Sequence, residues 1–146
     1  MSISESVILR TGEASPIRAM TGMNALVTAI MTGNLYDGTA TQVALVFTAD
    51  ATNGGYIQRL RFKAGGTNVA TVARIWINNG STQTTAANNS FYGEVTLSAT
   101  TLIATAATIE VDYPMGFAIN AGFRIYFGLA TGVAAGWVCT AIGGKY

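Results

Sequence analysis

Tyr56-Ile57-Gln58-Arg59-Leu60-Arg61-Phe62-Lys63 runs into Ala64-Gly65-Gly66-Thr67-Asn68 and then into residues 69–78, and this passage decides the fold. In the first segment Tyr56, Gln58, Leu60 and Phe62 fall on one side and Ile57, Arg59, Arg61 and Lys63 on the other, the period-two signature of a strand. Glycine, threonine and asparagine then turn the chain. In 69–78, Ala73, Ile75 and Ile77 oppose Val72, Arg74 and Trp76. Apolar residues on both sides suit a strand covered on both faces.

Working outward, the same rhythm holds. Residues 42–49 form an apolar run that stops at Asp50-Ala51-Thr52-Asn53-Gly54-Gly55. Beyond a long polar loop at 78–89 come strand candidates at 91–97, with Gly93 a bulge position, and at 108–113, ended by Pro114. Segments 116–119, 123–129 and 136–142 follow, the last before Gly143-Gly144-Lys145-Tyr146. Eight strands at this spacing, with no helical pattern between them, predict an all-β antiparallel sandwich, an eight-stranded jelly roll, over residues 41–146.

Residues 1–40 read as an extended N-terminal arm. Thr11-Gly12 and Ser15-Pro16 interrupt any regular element, and one short helix over 24–31 is the most the segment supports. Val7, Ile8, Leu9, Ile17, Leu26, Val27 and Ile30 are too apolar to float in water, so they are the candidate interface by which the arm docks on another subunit. The start MSISESVILR lacks a basic stretch followed by an apolar core, which implies synthesis and assembly in a cytoplasm.

Composition narrows the chemistry. Of 146 residues half are hydrophobic and 10% are charged, with a net charge of +1. A surface so poor in charge suits an assembly subunit better than a free monomer. Arg59, Arg61 and Lys63 are too narrow a basic footprint for nucleic acid, and no apolar run is long enough for a membrane helix. There is no histidine, so the usual general base and metal ligand are both missing. That argues against an enzyme, a metal or a cofactor. Cys139, the single cysteine, sits among Trp137, Val138 and Ile142 as a packed thiol. Glu110 and Asp112 share a strand face and are expected to pair with an arginine such as Arg59, Arg74 or Arg124. Gly54-Gly55, Gly65-Gly66 and Gly143-Gly144 are read as turns and not phosphate loops. Trp76, Phe91, Tyr92, Tyr126 and Trp137 form either core or an aromatic platform, and loop 78–89 is a candidate contact with a neighbour.

Three phrases carry a resemblance: Ala44-Leu45-Val46-Phe47-Thr48-Ala49, Ile57 to Lys63, and Ala73-Arg74-Ile75-Trp76-Ile77-Asn78-Asn79-Gly80. Together with Ala121 to Gly128 and Ala135-Gly136-Trp137-Val138, they make residues 41–146 similar to small structural proteins of tailed bacteriophages. The resemblance implies a capsid decoration (cement) protein on the virion surface, a homotrimer that binds the major capsid protein at junctions between its subunits and stabilises the head. The alternative is the jelly-roll head of a phage fibre, a receptor-binding module recognising host-surface carbohydrate.

Overall fold

The structure, a computed structural model, describes residues 36–146 together with the backbone of two short segments before them. Those segments are the strands β1 (Ala19–Met20) and β2 (Met23–Val27). Then come β3 (Ala44–Thr48), β4 (Gly55–Ala64), β5 (Thr71–Asn78), β6 (Asn89–Leu97), β7 (Glu110–Ile119), β8 (Arg124–Leu129) and β9 (Trp137–Lys145). One 3-10 turn, Ala86–Asn88, precedes β6.

All pairings between strands are antiparallel. The first sheet runs β1/β2, β9, β4, β7, and the second runs β3, β8, β5, β6. Ala19 pairs with Lys145 and Met23 with Ala141, so β1 and β2 follow β9 in a single register and act as one edge. Counted that way, the described residues form eight ranks. The chain crosses between the sheets at almost every connection and brings its first edge beside its last strand, which is jelly-roll topology.

Alternation drives the packing. Leu60, Phe62 and Ala64 of β4, Ala73 and Ile75 of β5, Phe127 and Leu129 of β8, and Trp137, Cys139 and Ala141 of β9 meet between the sheets. Phe62 and Phe127 touch edge to face across that gap, with centroids 5.6 Å apart. Full burial of such side chains contributes roughly 1.5–3 kcal/mol each. The alternation along β4 breaks once. Ile57 points into the core with Leu60 and Phe62, while Tyr56 is half-buried and Gln58 exposed. The register shifts between Ile57 and Arg59 against both neighbours, and such a bulge moves every later side chain to the opposite face.

Two other expectations change. Pro114 does not end a strand: β7 continues through it to Ile119. β7 is the last strand of its sheet, where a missing donor is tolerated. Next to the proline, Met115 and Gly116 oppose the single residue Gln58, and Gly116 takes φ +66°. That left-handed conformation suits glycine and makes the bulge possible. The helix expected over 24–31 is also absent from its first part, since Met23–Val27 is a strand on the open side of β9. Pairing with that edge outweighs weak local helix propensity. The sandwich therefore draws its edge from within residues 1–40. Leu26 and Val27 of the expected arm interface pair, through their backbones, with Val138 and Trp137 of the same chain. Val7, Ile8, Leu9, Ile17 and Ile30 lie outside the described residues.

Candidate binding surfaces

The carboxylates at 110 and 112, the arginines expected to meet them and Cys139 are each engaged structurally. Asp112 receives Nε of Arg61 at 2.8 Å and its Nη2 at 3.1 Å. Arg59 lies 3.4 Å from the same carboxylate, and Arg61 lies 3.4 Å from Glu110. The hydrogen bond from Arg61 is the main reason the Asp112 carboxyl is held below its ordinary value. Arg59 was an expected partner, but Arg61 is the principal one. Arg74 instead meets Glu94, and Arg124 donates to the Ser81 carbonyl. Burial pushes the Cys139 thiol far up, so it packs as a small hydrophobe. Among the described residues no three His, Cys, Asp or Glu gather as a metal site. Gly54-Gly55 and Gly65-Gly66 lie at turns, whereas Gly143-Gly144 is inside β9, paired with β4.

Loop 78–89 is stitched to its own domain. Asn78 Nδ2 donates to Asn89 Oδ1 at 2.8 Å, and Asn88 Nδ2 donates to the Thr82 carbonyl at 2.9 Å. Asn89 Nδ2 reaches the Asp37 carbonyl at 3.0 Å, while Gln83 Nε2 donates to the carbonyls of Gly38 and Ala40. The loop thereby clamps residues 37–40 over the outer face of the second sheet. Beneath this strap, Trp76 is fully buried against Ala40 and Val43 and donates its Nε1 proton to the Tyr36 carbonyl at 2.9 Å.

The five aromatics of the candidate platform separate. Trp76 and Trp137 are core and Tyr126 is half-buried, whereas Phe91 and Tyr92 are exposed at the free edge of the second sheet. The register shift between Ile75 and Trp76 leaves Tyr92 as an extra residue of β6. Strand alternation sends Phe91 and Tyr92 to different sides of the edge, and the bulge puts Gly93 on the same side as Tyr92. Phe91 turns outward, with centroids 4.9 Å from Tyr36 and 6.0 Å from Trp76. Tyr92 turns toward β7, 6.1 Å from Tyr113 and 5.4 Å from Phe117. A shallow apolar depression of about 170 Å³ continues this strip, lined by Ile77, Phe117, Ala118, Ile119, Asn120 and Phe123.

Charge sits at the outer end of the aromatic edge. The buried Arg74 guanidinium lies 4.3 Å from the centre of the Tyr36 ring and donates to the Tyr36 hydroxyl at 3.3 Å. Its Nε is 3.5 Å from Glu94, and its Nη1 has no acceptor among the described residues. Aromatic faces beside a cation and a carboxylate make a surface able to anchor a partner's apolar group or a sugar ring. Sequence reading pointed to Phe91 and Tyr92 but missed Tyr36, which lies in the span assigned to the arm, and the Arg74–Glu94 pair. Adjacent aromatics before Gly93 were the available signal.

No family model and no curated protein matches this chain. Among solved structures, a carbohydrate-binding module from a glycoside hydrolase family 9 enzyme (Cel9A) of Ruminococcus flavefaciens FD-1 is similar, with 10% identity and a TM-score of 0.43. The similarity covers 86% of this chain and 98% of that one. A likeness this remote says nothing about what the present chain binds.

Proposed function

We propose that the chain is a non-catalytic binding subunit that decorates the head of a tailed bacteriophage, held to the major capsid protein on the virion after assembly in the host cytoplasm. The observation that carries the reading is the exposed aromatic edge, Tyr36, Phe91 and Tyr92, on a domain whose carboxylates at 110 and 112 are spent on arginine pairs. Exposed aromatics of this kind anchor protein interfaces. The low charge and the phage-like phrases of residues 41–146 point the same way. The test is to add purified chain to heads that lack it, with Phe91→Ala and Tyr92→Ala beside the native protein. Saturable binding of the native chain, weakened at least about tenfold in the double variant, is the expected result.

One observation favours a second reading, a fibre head that recognises host carbohydrate. The Tyr36 and Phe91 rings lie beside the exposed Glu94 carboxylate, with the buried Arg74 guanidinium behind them, so apolar faces and a hydrogen-bonding group converge as in a sugar site. Retention on immobilised host-surface glycans with no affinity for heads would select this reading.

A further inference from the structure

β4, β6 and β8 end, and β5, β7 and β9 begin, at the same end of the sandwich. The three loops gathered there, residues 65–70, 98–109 and 130–136, contain no charged residue. They expose large apolar side chains: Leu102 is 62% exposed, Val69 59% and Ile103 50%. Ile103 and Ala106 bridge the tip of the middle loop, so it projects as a small uncharged finger.

This end is held rigid from beneath by Asn68, which is buried. Its backbone exchanges hydrogen bonds with Thr100 at 3.1 and 2.9 Å. Its side-chain oxygen accepts from the amides of Ala135 at 2.8 Å and Gly136 at 3.1 Å, and its Nδ2 donates to the Gly136 carbonyl at 2.8 Å. Thr67 Oγ1 also accepts from the Leu102 amide at 2.9 Å. One buried asparagine thus ties three loops together. A surface fixed in this way loses little further entropy when it is covered.

We infer that this loop end is a self-association surface, on which a second copy of the chain packs through Val69, Leu102 and Ile103. A charged partner would lose hydration here with nothing to pair against. A face without charge is compatible with itself. At the rim Lys63 and Glu110 stand opposite each other in the register of β4 and β7 and carry opposite signs, so two copies meet without net repulsion from this pair. An acidic membrane would call for a basic ring, which these loops lack. The three loops also supply about as many residues as one side of an ordinary interface, roughly 20–30.

The inference stands apart from the phage reading and needs no particle to test it. Sedimentation velocity of the full chain at micromolar concentration should report an oligomer. The double variant Leu102→Asp, Ile103→Asp should dissociate at least about tenfold more readily. Val69→Lys on the neighbouring loop provides a second route should the double variant not fold. A monomeric native chain, or an oligomer indifferent to both variants, overturns the inference. So does a native monomer that floats with neutral phosphatidylcholine vesicles, because lipid would then be the occupant.

Discussion

The Tyr113 hydroxyl fills the space that a Cβ at Gly93 would occupy. Together with the packing of Tyr92 on Tyr113 and Phe117, this contact joins β7 to β6 across the open side of the sandwich. On the opposite side β2 lies close to β3. Gly93→Ala should expel the tyrosine ring at modest cost to stability, since the displaced atom is the far end of a side chain. Burial, then the neighbouring Tyr92, raises the Tyr113 pKa. A raised value means that the group's contribution to stability is intact below the ordinary tyrosine range and is lost as pH rises through the folded-state value. Ultraviolet titration should show one late tyrosine in the native chain and its return toward the ordinary value in Gly93→Ala.

Asp112 gives the opposite sign. Arg61 lowers its folded-state pKa, so the pair stabilises above the ordinary carboxylate range and its contribution disappears as pH falls through the depressed value. Both partners are exposed enough for solvent to screen them, and the effect will be small. Asp112→Asn should flatten the acid limb of a plot of melting temperature against pH, and added salt should narrow the difference between native and variant.

Asn68→Ala removes an acceptor from two amides and a donor from one carbonyl at a buried site. Leaving such groups unpaired costs about 1–3 kcal/mol each when no water can reach them. Partial relaxation of the loops makes a total of about 2–4 kcal/mol the expected loss in a urea titration. Hydrogen exchange should rise first at Thr100, Ala135 and Gly136.

Removal of residues 1–35 deletes β1 and β2, the strands that cover β9 on the side away from β4. The truncated chain exposes the β9 edge, an unpaired ladder that invites association with other strands. It should melt earlier and aggregate on heating more readily than the full chain. A truncation as stable as the parent would show that the edge contributes nothing.

How much of this was legible depends on whether the deciding contact was local. The alternation of β5 and β8 is written in their own residues, and Ile75, Ile125 and Phe127 fall in the core where period two puts them. β4 misleads after Ile57 because its bulge is set by the partners β7 and β9, not by Gln58 itself. The segment around Leu26 resembles a weak helix until β9 offers it an edge. Pro114 stops a strand by local rules and survives because nothing pairs beyond it in the sheet. At the binding surface, Phe91 and Tyr92 were visible as neighbouring aromatics. Tyr36 reaches Phe91 through a strap held by Asn89 and Gln83, which no local pattern announces.

The most direct test of the central proposal is the abundance of the chain in purified particles of a phage that encodes it. Stained gel intensities, scaled by mass, give its ratio to the major capsid protein. A decoration subunit predicts a ratio of the same order as the shell protein itself, with release under conditions that strip the surface while leaving the shell closed. A few copies per particle that remain with isolated tails, or none at all, would contradict the account.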